Sequence, residues 1–279
     1  NPNFLYRNDG RGTFTEVGTW SGIGVNGHGV AQADMGVDAA DFDGDLRQDV
    51  LVTTFAQDTA TLYRNEGDLA FQDVAVPTGL KVITYRALKW GCAFFDYDHD
   101  ADVDATIMNG HIYPQVDQSP ELAETYRQLP FLLRNDGGKL TDVSREAGPG
   151  FQVAASARGL AVGDYDDDGD LDLLVTAMDS PPLLLRNDTP RAGRWLKLRL
   201  LNRAGGPAIN ARATITAGGK SQLREVRSGS THQSQNAFDL HFGLGPAAIV
   251  ERVEIAWPGG ETSTLRDVKA DQTVTARQP

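Results

Sequence analysis

Residues Gly163 to Val175 read GDYDDDGDLDLLV. Six aspartates fall within the nine positions from Asp164 to Asp172, and the chain then enters a run of leucine and valine. Like charges at this density repel one another, while the apolar run behind them belongs in a core. The stretch is not unique. DFDGDLRQD occupies 41–49 and DYDHDADVD occupies 96–104, alongside DYDDDGDLD at 164–172. Acids stand at relative positions 1, 3, 5 and 9 of every copy: Asp41, Asp43, Asp45 and Asp49; Asp96, Asp98, Asp100 and Asp104; Asp164, Asp166, Asp168 and Asp172.

Two further elements keep a fixed order around these loops. FLYRNDG (4–10), TLYRNEG (61–67), LLRNDGG (132–138) and LLLRND (183–188) form one series; GTFTEV (12–17), LAFQDV (69–74) and KLTDVS (139–144) follow as the other. One repeat reads as four strands: an apolar run such as ALKWGCAFF (87–95) into the acidic loop, DATIMNG (104–110) out of it, then LLRN, then KLTDVS with alternating apolar positions. Asn, Asp and Gly supply the turns. Four short antiparallel strands per repeat is the pattern of a β-propeller blade. Residues 1–17 supply two strands, 31–76 four, 86–148 four and 157–188 three, slightly more than three blades. A propeller closes with roughly four to eight, so further blades are expected upstream of Asn1 or on another chain. PELAETYRQL (120–129) is expected to form a short helix, in an insertion between the second and third strands of its blade.

The chain has 279 residues, of which 40% are hydrophobic and 23% charged, the profile of a globular protein with a sizeable core. No apolar run approaches the ~18 residues of a membrane span. No signal peptide is recognisable, because residues 1–17 read as repeat, so the native N-terminus is expected further upstream. The net charge of −12 argues against nucleic acid, which requires a basic face, and against an anionic membrane surface. The lone cysteine, Cys92, sits in WGCAFF and reads as a buried, inert thiol.

Acids at positions 1, 3 and 5 of a tight loop converge, and the acid at position 9 closes the ring from the next strand. Oxygen-only ligation of this kind suits calcium, which accepts six to eight oxygens in flexible geometry; magnesium ranks second because it requires a stricter octahedron. Position 7 would add a backbone carbonyl, from Arg47, Asp102 and Asp170 in turn. Three calcium ions would halve the net charge of −12. Position 6 requires a left-handed backbone, which Gly169 supplies but Leu46 and Ala101 supply only at about 1 kcal/mol or more each. The third loop, Asp164 to Asp172, is therefore expected to bind most tightly and the first most weakly. Sites of this kind stay filled where calcium is millimolar, which places the protein outside the cytoplasm, extracellular or periplasmic.

Residues 190–279 carry no acidic loop. RWLKLRLL (194–201), ARATITA (211–217), VERVEIAW (250–257) and TVTAR (273–277) alternate, and GG (218–219) and PGG (258–260) suit hairpins. A small antiparallel β domain is expected here, following a propeller portion at 1–189. Its basic residues Arg194, Lys197, Arg199, Arg203, Arg212, Lys220, Arg224 and Arg227 read as a solvated face against the acidic blades. SGSTHQSQN (228–236) reads as a structural loop, with a polysaccharide or protein contact as the alternative, and His111 in NGHIYP (109–114) as structural.

The acidic loops resemble FG-GAP and VCBS calcium propeller repeats. WLKLRL (195–200), INARATITAGG (209–219), REVRSGSTHQSQN (224–236), LHFGLG (240–245) and VERVEIAWPGG (250–260) resemble the ASPIC/UnbV domain. AQADMGVDAADFDGD (31–45), WGCAFFDYD (90–98), NGHIYPQVD (109–117) and SARGLAVGDYDDDGD (156–170) match blocks of the cartilage acidic protein 1 family, especially its bacterial members. The resemblance spans nearly the whole chain. It implies a seven-bladed extracellular propeller, a β-sandwich-like C-terminal domain and calcium in the acidic loops. The chain departs from the family at Leu46, Ala101 and Asn210, where the family usually has Gly.

Two functional readings follow. The preferred one is a calcium-stabilised extracytoplasmic scaffold or accessory subunit that binds a protein or carbohydrate partner. The alternative is a propeller enzyme, a lyase or hydrolase acting on saccharides in a central channel, favoured if a pocket holds two or more of His111, Tyr113 and His28 within hydrogen-bond distance. The histidines share no ligand spacing, and no G-x-S-x-G, P-loop, H-E-x-x-H or C-x-x-C is present.

Overall fold

A computed structural model of the chain describes residues 2–178, 180–190 and 192–279. All thirteen strands expected before residue 189 form. A hairpin of β1 (Tyr6–Gly10) and β2 (Thr13–Glu16) comes first. Two four-stranded meanders follow: β3 (Asp34–Ala40), β4 (Asp49–Thr54), β5 (Thr61–Gly67) and β6 (Ala70–Asp73), then β7 (Lys89–Phe95), β8 (Asp104–Asn109), β9 (Phe131–Asn135) and β10 (Leu140–Asp142). A three-stranded meander of β11 (Ser156–Gly163), β12 (Asp172–Met178) and β13 (Leu183–Leu185) completes the repeats. Every pairing among these strands is antiparallel.

The three acidic loops are superimposable in register. Ala40 pairs with Asp49, Phe95 with Asp104 and Gly163 with Asp172, so position 9 always sits opposite the residue that precedes position 1. Each loop-entering strand also breaks register near its start, around Gly36, Gly91 and Gly159. A bulge there lets the next repeat close in. A Cβ on Gly36 would lie 2.2 Å from the Trp90 carbonyl oxygen, and one on Gly91 2.9 Å from that of Arg158.

Apolar residues from adjacent meanders interlock. Leu51, Leu62, Cys92, Ile107 and Leu133 join the first two, and Phe95, Met108, Leu160, Leu173 and Val175 join the second and third. Cys92 is buried, as expected of an inert thiol, and burial raises its pKa well above the ordinary thiol range. Lys89 is also fully buried. Its ammonium donates to the carbonyls of Phe55, Asp58, Thr84 and Ala87 at 2.7–3.1 Å and so ties the β4–β5 and β6–β7 connections together. Lys89→Met would strand those carbonyls and is expected to cost about 3 kcal/mol, read as a lower denaturant midpoint at constant m-value.

The segment 120–129 does not form the expected helix. It holds only a 3₁₀ turn at Pro120–Leu122, after another at Pro114–Gln118. The left-handed Ala123 (φ 53°) ends the turn before an α-helix can propagate. The segment is pinned instead by side chains: Asp117 Oδ1 accepts the Tyr126 N–H at 2.8 Å. Glu124 faces His111 Nε2 at 3.2 Å.

After residue 190, two sheets share one core. The first has the order β17-β14-β20, from β14 (Arg194–Leu201), β17 (Leu240–Gly245) and β20 (Gln272–Arg277). The second has the order β16-β15-β18-β19, from β15 (Arg212–Ala217), β16 (Lys220–Glu225), β18 (Ile249–Ala256) and β19 (Thr262–Lys269). Leu196, Leu198, Ile215, Phe242, Val253 and Trp257 fill the space between them. The expectation of a purely antiparallel region needs one correction, because β14 and β20 pair in parallel. The whole second sheet lies between them in sequence, which is the long crossover that parallel pairing requires.

Candidate metal centre

Each acidic loop turns through two left-handed residues. Position 6 is left-handed as expected, with φ of 66° at Leu46, 75° at Ala101 and 98° at Gly169. Position 4 is left-handed too, at Gly44, His99 and Asp167, with φ of 77°, 65° and 59°. Asp and His are among the residues that tolerate this conformation, which is why no glycine signal marks position 4 in the second and third loops. Relieving Ala101 by Ala101→Gly is expected to tighten cation binding at the second loop by ~5-fold, the equivalent of about 1 kcal/mol, measured by calorimetric titration.

In each loop three carboxylates come within 4.8 Å of one another: Asp41, Asp43 and Asp45; Asp96, Asp98 and Asp104; Asp164, Asp166 and Asp172. The fourth acid of each predicted set has a separate task. Asp100 and Asp168, at position 5, cap the position-7 N–H groups of Asp102 and Asp170 at 2.8 and 2.9 Å. Asp49, at position 9, accepts from the N–H groups of Phe42 and Asn65 at 2.9 and 2.8 Å. Asp104 repeats that pattern with Tyr97 and Asn135 at 3.2 and 2.8 Å, and Asp172 with Tyr165 and Asn187 at 3.0 and 2.8 Å. Position 9 thus ties the loop to the RN element of the third strand.

The RN asparagines complete that tie, a role invisible in their spacing alone. Asn135 Nδ2 donates to the carbonyls of Val103 in its own repeat and Phe42 in the preceding one, both at 3.0 Å, and Asn187 Nδ2 reaches back to Tyr97 at 2.8 Å. The position-7 side chains turn elsewhere. Arg47 pairs with Asp45, Asp102 with Lys220 at 3.0 Å, and Asp170 with His99 at 3.3 Å.

Burial leaves these carboxylates under strain. It pushes the pKa of Asp96 up to about 7, of Asp104 to about 9 and of Asp49 to about 6, with like-charged neighbours adding to the effect. Asp41, Asp43, Asp100 and Asp172 are raised for the same first reason. Asp41 and Asp96 are buried, and Oδ1 of each has no hydrogen-bond partner among the described residues. Both atoms belong to carboxylates of the converging groups, so the donor set fits a hard cation at the first two loops. A cleft of about 330 Å³ runs between these loops, lined by Asp43, Gly44, Ala101 and Lys220 among others.

The basic residues beyond position 190 are not one solvated face. Arg194, Arg199, Arg203 and Arg212 pair at the surface with Asp271, Asp239, Glu261 and Glu225. Lys197, Lys220, Arg224 and Arg227 instead meet the repeats. Lys197 Nζ lies 2.5 Å from Asp164 Oδ2, with both side chains buried, and Arg227 lies 2.8 Å from the buried Asp38. Burial raises the pKa values of Asp41 and Asp96, and the positive charge of Arg224, acting through space, offsets part of that rise. SGSTHQSQN forms the structural loop expected of it. Thr231 Oγ1 donates to the Leu160 carbonyl at 3.0 Å, and Asn236 Oδ1 accepts from Val162 N–H at 3.0 Å. His111 and Tyr113 lie side by side, with ring centres 6.0 Å apart and His111 Nδ1 accepting from Tyr113 N–H at 3.1 Å, whereas His28 Nε2 lies 3.3 Å from Lys81 Nζ.

Strand meanders joined by aspartate loops, followed by a two-sheet region, make an all-β chain whose two parts are similar to two known families. Residues 1–52 and 41–106 match the FG-GAP-like repeat, and residues 202–279 match the ASPIC and UnbV family. The chain is similar to cartilage acidic protein 1 of Mus musculus (28% identity over 270 residues), Homo sapiens (27% over 270) and Xenopus tropicalis (25% over 275). Those alignments cover 93–94% of the chain but only 38–39% of each relative, so it spans under two-fifths of their length. Among the described residues, no helix is long and apolar enough to cross a membrane.

Proposed function

We propose that this chain is a calcium-stabilised scaffold or interaction protein that works outside the cytoplasm, in extracellular or periplasmic space, and presents its β surfaces to a protein or carbohydrate partner. Residues 1–189 are read as propeller blades and residues 190–279 as a β domain seated on their loops. The carrying observation is the pair of buried, partnerless carboxylate oxygens, Asp41 Oδ1 and Asp96 Oδ1, each within a converging aspartate group at the same point of the repeat. Similarity to FG-GAP-like repeats and to cartilage acidic protein 1 supports the reading.

The ligands in this reading are the carboxylates at positions 1, 3, 5 and 9 of a loop and the carbonyl at position 7. Bound calcium supplies the missing counter-charge at the first two loops and fixes the start of β4 and β8. The chain's own residues do the rest: left-handed residues at positions 4 and 6 aim the acids inward, and position 9 links the loop to the third strand. Elemental analysis of protein dialysed against calcium tests the reading. Two or more equivalents per chain are expected, and none bound overturns it.

A further inference from the structure

We infer that Lys197 is a resident cation of the third acidic loop, so that this loop, despite its six aspartates, needs no calcium and binds it far more weakly than the first two. The inference rests on the calcium reading of those two loops. It also reverses the ranking expected from Gly169.

The environment of position 1 differs sharply among the loops. In the third, Asp164 Oδ1 accepts the Asp168 N–H at 3.2 Å, and Oδ2 accepts the Gly169 N–H at 2.9 Å together with the Lys197 ammonium at 2.5 Å. Both oxygens are engaged. In the first and second loops the corresponding Oδ1 atoms of Asp41 and Asp96 are buried without a partner. The nearby Arg224 spends its hydrogen bonds on the Leu223 carbonyl and Gln222 Oε1, at 3.0 and 3.2 Å, and packs over the Phe242 ring at 5.4 Å. Arg47 does touch Asp45 of the first loop, but its guanidinium is 42% exposed and water screens it. Lys197 is only 5% exposed.

The position of Lys197 is built in. It lies on β14, paired with His241 of β17 and Thr273 of β20. Its ammonium sits 5.4 Å from the centre of the Trp195 ring. A Cβ on Gly169 would fall 2.2 Å from Trp195, and His241 Nε2 lies 3.0 Å from the Gly169 carbonyl oxygen. Position 6 of the third loop is therefore glycine because an indole covers it, as well as because its φ is 98°. A buried ammonium in contact with a ligand carboxylate repels a divalent cation approaching the same carboxylate. Weakening of ~100-fold or more is expected even with the effective screening of a protein.

Titration of the whole chain with calcium alone, followed by calorimetry and elemental analysis, tests this. The expected result is two tight sites in the wild type, one in Asp98→Asn and two in Asp166→Asn. Lys197→Met, with folding checked by circular dichroism, should gain a third. Three tight sites in the wild type, or loss of one in Asp166→Asn, overturns the role of Lys197 and leaves the calcium reading standing. A folded Lys197→Met chain that still binds two also overturns it. No binding in any variant overturns the calcium reading itself. Asp166 is exposed, so its variant serves even if Lys197→Met does not fold.

Discussion

Chelating calcium at about pH 8 should lower the melting temperature by ~5–10 °C, and by much less at about pH 5. A site with Kd near ~10⁻⁴ M in ~1 mM calcium stabilises the fold by about 1.4 kcal/mol, and two such sites in a chain of this size account for a shift of that order. The pH dependence comes from the acids. Burial raises the pKa of Asp49, Asp96 and Asp104 to about 6, 7 and 9, above the value of 3.8 ordinary for an unfolded chain. A folded state that holds its protons more tightly than the unfolded state loses stability as pH rises. In the metal-free protein that loss begins near pH 4, passes through about 7 for Asp96 and extends to about 9 for Asp104. Calcium offsets the charges that appear, so the gap between loaded and stripped protein widens with pH. Scanning calorimetry at both pH values with and without chelator measures it; an equal, small effect at each would be incompatible with cation-filled loops.

Gly243→Ala should cost about 3 kcal/mol and weaken calcium binding at the second loop. A Cβ at this position of β17 would lie 1.9 Å from Asp96 Oδ2 and 2.7 Å from the His99 Cα. The nearer atom belongs to a proposed ligand and the other to backbone, so either the strand lifts off the loop or the loop deforms. Gly206→Ala, where the nearest atom is 3.5 Å away on Asn202, serves as the near-neutral control. Denaturant unfolding and calcium titration of the two variants make the comparison. Equal stability and affinity would show that β17 does not seat on the second loop in solution.

Much of this molecule is local and therefore legible in the chain. Alternation, Asn and Gly turns and the recurring RN element placed thirteen strands before residue 189. The spacing of the acids put Asp41, Asp43 and Asp45 together. It did not show that the acids also hold backbone: Asp100 and Asp168 cap the N–H groups at position 7, and Asp49 joins two strands. The helix expected at 120–129 fails because Ala123 is left-handed and because Asp117 and Glu124 tether the segment to Tyr126 and His111.

The amino-acid sequence by itself determined the repeat, the aspartate loops and the left-handed position 6, since each depends on residues within about ten positions of one another. Only the tertiary structure decided how the charges are compensated. Lys197 reaches Asp164 across 33 residues, Lys220 reaches Asp102 across 118, and Arg224 acts on Asp41 and Asp96 from another sheet. Coulomb energy depends on distance and burial in space, and neither is written in local spacing. Three loops that are nearly alike as sequence therefore become unlike as sites.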